Sequence, residues 1–449
     1  MSNPRGEFRS RLGFILAAAG SAVGLGNIWG FPTQAASNGG AAFLITYLML
    51  AFVLAYPALM AELLIGRHAN RNMVTALESL HEGEPLRCLG RFTGIGGLAT
   101  ASLILSFYAI VAGWMLGSAA SYPLEAIGMA SVGEWLLTFD LPRNALLMLV
   151  FMALTIGVVL GGVEDGIERW SRRLMPLLIV TLIALSGYVL TLEGALAGLE
   201  VYLLPDFSKL LSRGLLIDAL GSAFFSLSLG VGTMLIYGSY LSDRENIPRI
   251  GAQVALVDIG IAVLAGFLIL PAMYVADVRG VAIFNSSGDL LSEDTLIFTV
   301  LPALFETMDG IGVVLATAFF VLMSIAALTS SISMLEVPVA YLIERHGLTR
   351  HRATFLTGAC IAACSGLIVL NFDALFGWVI TVSTRYGQPL LGILICIFAG
   401  WVWRRDTLLN ELKKNDPDAA SSLFWRIWPF YVKWLCPVII GVIVLQSIV

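Results

Sequence analysis

Long apolar runs divided by short polar loops make up most of this chain. A membrane-spanning helix needs about 20 largely apolar residues. Eleven segments meet that length, at roughly 13–34, 41–66, 92–122, 143–161, 168–191, 217–240, 250–275, 311–345, 351–370, 374–403 and 427–448. The third, eighth and tenth are long enough to tilt or to project beyond the bilayer. The pattern predicts an all-α integral membrane protein, with residues 1–449 forming a single domain. Two runs are interrupted. The first reads AAAGSAVGLGNIWGFP (17–32), with Gly20, Gly24, Gly26 and Gly30 before Pro32. The sixth reads GSAFFSLSLGVGTMLIYGSY (221–240), with Ser226, Ser228, Gly230 and Gly232 at its centre. Glycine weakens a helix by about 1 kcal/mol relative to alanine, and proline removes a backbone donor.

Each interrupted run opens a set of five spans, 13–191 and 217–403, and 427–448 remains as an accessory helix. Five is odd, so the second set is inverted relative to the first. Broken helices at matching positions of inverted halves point to a transporter's binding site. Close packing through small residues is the alternative reading of either run alone. Unwound backbone at membrane depth must line an enclosed cavity. Its free carbonyls suit a hard cation such as sodium, and a half-helix N-terminus suits a carboxylate. Asn27 adds a neutral amide oxygen there. The intramembrane acids Glu62, Asp258 and Glu336 are functional candidates by their location. Span eight carries AALTSSIS (326–333), where Thr329 and Ser330 can either bond back to their own helix or form half of an oxygen cage.

Composition and charge agree with this picture. Charged residues make up 13% of the chain, against about 25% in soluble proteins, so lipid must cover much of the surface. Basic residues crowd into alternate loops, among them Arg67, Arg71, Arg87 and Arg91, and then Arg404, Arg405, Lys413, Lys414 and Arg426. By the positive-inside rule the N-terminus is cytoplasmic and the C-terminus outside, as in a bacterial inner-membrane protein. Arg5, Arg9 and Arg11 before an apolar run imitate a signal peptide, but the run is too long and other spans follow. Nothing resembles a nucleic-acid patch. The five cysteines form no framework, and the four histidines fall in polar loops without a metal-binding pattern. No histidine lies in a span and the acids are not paired, which argues against an intramembrane enzyme. Residues 295–308 form an amphipathic piece that either caps the outer side as a lid or lies on the surface.

The segment RLGFILAAAGSAVGLGNIWGFP (11–32), followed by NGGAAFLITY (38–47), resembles helix 1 and the start of helix 2 of the neurotransmitter:sodium symporters. The likeness runs nearly the whole chain, through FYAIVAGW (107–114), FFSLSLGVG (224–232), LTSSIS (328–333) and LFGWV (375–379). It implies a LeuT fold with a 5+5 inverted repeat, unwound helices 1 and 6, and the eleven-helix form of bacterial amino acid transporters. It also implies two sodium sites. Carried over by position, the first takes the Ala22 carbonyl, Asn27, Ser226 and Asp258, completed by the substrate carboxylate. The second takes the carbonyls of Gly20, Val23 and Ala326 with the hydroxyls of Thr329 and Ser330. Span five has no lysine to replace the second sodium.

By the same resemblance, the substrate lies among Ala22, Gly24, Leu25, Gly26, Ile104, Tyr108, Phe225, Ser226, Ser228, Val231, Ser330 and Met334. Monoamine carriers place an aspartate where Gly24 stands, so a zwitterionic amino acid is the expected substrate, and the apolar wall favours a neutral, hydrophobic one. Asp258 replaces the chloride that other members need. Arg5, Tyr240 and Glu344 match the inner gate, and Glu62 is expected to hold the unwound backbone of helices 1 and 6. The usual outer arginine is absent, because Gly30 occupies its position and helix 10 has no matching acid. The competing readings are a sodium-dependent amino acid sensor, or a carrier of another solute on the same fold.

Overall fold

The computed structural model describes residues 6–205, 212–284, 291 and 296–448. Helix dominates these residues, and the β contact among them is an isolated bridge between Gly40 and Pro205. The chain opens with α1 (Arg11–Ala22) and α2 (Gly26–Ser37), which meet at a 62° bend. There follow α3 (Ala41–Ala69), α4 (Glu84–Ala126), α5 (Leu141–Leu160) and α6 (Val163–Val189). Two short helices, α7 (Arg213–Ser226) and α8 (Thr233–Gly238), stand where the sixth span was expected. Then come α9 (Ile247–Val278), α10 (Gly310–His346), α11 (Arg350–Leu370) and α12 (Phe372–Val402). A short polar helix, α13 (Arg405–Lys413), precedes the last span, α14 (Leu423–Gln446). Among the described residues nine helices cross by length and composition, and the bent α1–α2 pair makes ten. Eleven is reached by joining α7 and α8 across their break.

Helix α4 is 43 residues long, about 64 Å at 1.5 Å per residue, so it projects well beyond the bilayer as its apolar length suggested. Local signals set the boundaries. The side chains of Ser10, Asp140, Asn246 and Ser422 each accept a backbone N–H of the first turn they precede, satisfying a donor the helix leaves orphaned. Asn70 ends α3 in the left-handed conformation at φ 48°, which asparagine tolerates better than most residues.

The connection between α9 and α10 includes the helix Leu296–Glu306, whose apolar face is buried. Phe298 on it meets the rings of Trp29 and Trp114 at 5.7 Å each. This segment therefore packs its apolar face onto the bundle, which fits either expected reading, a lid or an amphipathic surface helix. At the other end of the bundle, Glu168 accepts from the Arg9 amide (2.7 Å) and the Ser10 hydroxyl (2.8 Å), tying the N-terminal segment to the start of α6.

Nearby, Arg67 donates to the buried Glu411 of α13 at 2.7 Å. Burial pushes the Glu411 carboxyl up, but His68, Arg67 and Lys414 outweigh it and hold it at about 2. His68 is thus not a solvated loop histidine as expected; it closes α3 and faces Glu411 at 3.2 Å.

Candidate functional site

Helix α1 stops at Ala22, and Val23 is extended at φ −70°, ψ 104°. Although Gly20 is the first glycine of the interrupted run, it does not unwind the helix: Gly20, Ser21 and Ala22 remain helical. Gly20 serves packing instead. A Cβ there would stand 3.1 Å from Met175 sulfur and 3.2 Å from Thr329 Cβ. The last carbonyls of a helix have no partner within it, and here hydroxyls from other helices reach them. Ser330 Oγ donates to Val23 O at 3.1 Å and approaches Gly20 O at 3.4 Å, and Ser228 Oγ donates to Ser21 O at 2.9 Å. Thr329 Oγ1 lies 3.0 Å from Ala326 O on the same helix. Ser330 thus joins α10 to the Gly20 and Val23 carbonyls, while Thr329 bonds back to its own helix, the packing alternative the sequence left open.

Just past the break, Asn27, Ser226 and Asp258 form a second cluster. Asn27 Nδ2 donates to Asp258 Oδ1 (2.7 Å) and Ser226 Oγ (2.8 Å), and Ser226 Oγ donates to Asp258 Oδ2 (2.6 Å). The Tyr47 hydroxyl adds a 3.2 Å contact to Ser226 that the sequence did not reveal. All four residues are buried. Asp258 has no arginine, lysine or histidine in ion-pair reach among the described residues. A buried carboxylate satisfied only by neutral donors is costly to ionise, and a cation bound beside it would offset that cost.

Between the two clusters lies a small cavity. It is lined by Ala22, Gly24, Leu25, Gly26, Ile104, Tyr108, Phe225, Ser228, Val231, Ser330 and Met334 from the expected set, with Asn27 beside them. Ser226 is not part of the wall and sits one layer back against Asp258. Gln388 is an unexpected addition from α12. The cavity leaves about 20 Å³, room for about one water, so an amino acid has to expand it. The Tyr108 hydroxyl accepts from Leu25 N at 3.3 Å. Phe225 lies so close to Gly26 that a Cβ there would sit 2.7 Å from its ring.

The break between α7 and α8 runs over residues 227–232, with positive φ at Ser228 (51°), Gly230 (80°) and Gly232 (79°). Glu62 accepts from Gly230 N at 2.7 Å and Leu235 N at 3.3 Å. One bond goes to this break and the other to the first turn of α8, so Glu62 braces the sixth span rather than helices 1 and 6 alike. On the basic-loop side, Arg5 lies outside the described residues. Glu344 accepts from the backbone and side-chain amides of Asn72 at 2.9 and 2.8 Å. The Tyr240 hydroxyl donates to Glu336 (2.6 Å), which also receives Arg350 Nη2 at 2.5 Å. Glu336, ambiguous in sequence, is therefore the buried centre of a network on this side, and Arg350 is the member that sequence reasoning missed. Gly30 ends a π-turn, Gly26–Gly30, and Arg385 lies in another, Thr381–Gly387.

With this geometry in view, the similarities of the chain are informative. Residues 5–124 and 126–449 match the sodium:neurotransmitter symporter family. An uncharacterized sodium-dependent transporter of Bacillus subtilis is 36% identical, with 98% of this chain and 97% of that protein aligned. The sodium- and chloride-dependent taurine transporter of Bos taurus is 26% identical, over 96% of this chain and 77% of that protein. Among solved structures, MhsT in complex with L-phenylalanine matches with a TM-score of 0.84 and 35% identity, over 99% of this chain and 100% of that one.

Proposed function

The chain belongs to the sodium:neurotransmitter symporter family, and on that premise we propose that it imports a neutral, hydrophobic amino acid with sodium, by alternating access and without chloride. It is a sodium-dependent transporter of LeuT fold and not an enzyme. The observation that carries the finer reading is the buried Asn27–Ser226–Asp258 cluster beside a broken helix. In this reading the first sodium binds there with the Ala22 carbonyl and the substrate carboxylate. Asn27 turns its amide over so that its oxygen replaces its nitrogen toward the ion. The second sodium takes the carbonyls of Gly20, Val23 and Ala326 and the hydroxyls of Thr329 and Ser330. Oxygen-only donors suit a hard cation.

The substrate carboxylate then meets the Gly26 amide and Tyr108 hydroxyl. The carbonyls of Ala22, Phe225 and Ser228 take its amine. Ile104, Val231 and Met334 surround its side chain. The L-phenylalanine bound to MhsT favours a hydrophobic cargo here too. A Cβ at residue 24 would stand 3.0 Å from the Tyr108 hydroxyl and 2.9 Å from Ser330 Oγ, so the site has no room for the acid that pairs with a monoamine.

Asp258 supplies the negative charge that chloride supplies elsewhere, which separates this chain from its chloride-dependent taurine-transporting relative. Two sodium ions crossing 100 mV provide roughly 4.6 kcal/mol, about three decades of accumulation. Arg5, Tyr240 and Glu344 close the inner side. The 5+5 inverted halves, 13–191 and 217–403, rock about the site, with the N-terminus in the cytoplasm and the C-terminus outside a bacterial inner membrane. Uptake of a labelled amino acid panel into proteoliposomes tests all of this. Uptake should require sodium, favour apolar side chains and persist when gluconate replaces chloride. Sodium-dependent binding without uptake would make the chain a sensor instead.

A further inference from the structure

A second and much larger cavity, about 980 Å³, opens at the end of the bundle where the basic loops gather. Its walls come from the 79–86 loop, the end of α12, the start of α13 and the start of α14. Arg404, Arg405, Arg426 and Lys433 line it, against a single acid, Glu82. Other cations on this face are spoken for: Arg67 and Lys414 by Glu411, and Arg91 by Glu78. Arg404, Arg405 and Arg426 have no ion-pair partner among the described residues. The Arg405 guanidinium rests 5.2 Å over the Trp425 ring, which holds it in place without neutralising it.

Two further observations describe the occupant. Trp403 lines the cavity and is 5% exposed, yet its indole N–H has no hydrogen-bond partner among the described residues. A buried donor of this kind is costly unless something accepts from it. At the mouth, Trp401, Trp434 and Phe430 are about half exposed, and the Lys433 ammonium lies 4.2 Å over the Trp401 ring. Such aromatic side chains belong to the membrane–water interface. The cavity thus offers concentrated positive charge and a buried donor within, and apolar rings at its lipid-side rim.

We propose that this cavity binds the headgroup of an anionic phospholipid. The phosphate sits against the guanidinium groups of Arg404, Arg405 and Arg426, and an acyl chain runs along Trp401, Trp434 and Phe430. Arginine suits phosphate because its planar fork offers parallel N–H donors, and basic pockets between membrane helices are suited to lipid headgroups. The apolar rim selects a lipid over free phosphate. The proposal rests on the orientation given above only for which leaflet supplies the lipid.

The full-length chain in detergent can be titrated with phosphatidylglycerol, phosphatidylcholine of the same chains, or inorganic phosphate, and bound lipid read by native mass spectrometry. Phosphatidylglycerol should be retained at least about tenfold better than phosphatidylcholine. The triple variant Arg404→Gln/Arg405→Gln/Arg426→Gln should lose that preference, while Arg249→Gln, an exposed cation elsewhere on this face, should keep it. Retention unchanged in the triple variant, equal retention of the two lipids, or displacement by millimolar phosphate each overturns the proposal. If the triple variant does not fold, a photoactivatable phosphatidylglycerol decides on the unmodified chain. Labelling must fall in 79–86, 399–408 or 426–434, and labelling confined to other segments overturns it. These readouts need no transport, so they stand or fall separately from the amino acid reading.

Discussion

The break between α1 and α2 uses three residues, Val23 to Leu25, and keeps negative φ, whereas the break between α7 and α8 uses six residues and turns through positive φ three times. The first is held open from outside by side chains of other helices, namely Ser330, Tyr108 and Ser228. The second is shaped by its own backbone and pinned by one carboxylate, Glu62. Their glycines therefore do different work. Gly24 and Gly26 make room for Ser330, Tyr108 and Phe225 at the cavity. Gly230 and Gly232 supply backbone conformations that other residues resist. The first break should be sensitive in binding and the second in folding.

Gly230→Ala tests the second half of that contrast most severely. Its Cβ would run into the Gln388 carbonyl oxygen at a φ of 80°, and strain with overpacking should cost about 3 kcal/mol or more. A melting temperature unchanged from wild type would break the comparison. Asp258→Asn comes next, on the binding side. Removing a buried charge partner costs about 2 kcal/mol or more, so the sodium concentration for half-maximal uptake should rise roughly thirtyfold, while chloride should restore part of the activity. Equal sodium dependence in the two proteins would remove the basis of the first site. Glu62→Gln sharpens the contrast further. It replaces one carboxyl oxygen that accepts a backbone N–H with an amide NH2 that cannot, and a loss of about 1–2 kcal/mol in stability is expected, with sodium affinity nearly unchanged when measured on folded protein. Gly24→Ala should have the smallest effect. The added methyl crowds two hydroxyls, not backbone, so amino acid affinity should drop about tenfold, near 1.4 kcal/mol, with little change in melting temperature. If it unfolds the protein as Gly230→Ala does, the two breaks are not distinct after all.

The sequence made much of this legible, and particular residues show where it did not. Both interrupted runs announced themselves through glycine and serine, and the residues expected around the substrate, Ser226 apart, line one cavity. Gly20 misled because a helical glycine that admits Met175 looks the same in sequence as one that unwinds. Gln388 was hidden for a geometric reason. The π-turn at Thr381–Gly387 adds a residue to the turn, which shifts the faces of α12 away from simple helical periodicity. Arg350 stands 14 residues from Glu336 on another helix, and no local spacing reports a pair across a helical corner. His68 looked like a loop residue because the polarity of its surroundings, not its partner Glu411, is what sequence displays.

The hydrogen bonds that shape the first break also set a schedule for making the protein. Ser21 waits for Ser228, Asn27 for Asp258 and Val23 for Ser330, partners 207, 231 and 307 residues further along. At 5–20 residues per second, the ribosome needs roughly 10 to 60 s to deliver them. Helix α1 leaves the ribosome well before these partners and is therefore among the last to take its final shape, and until then its glycine-rich end depends on lipid, neighbouring spans or the insertion machinery to satisfy its backbone.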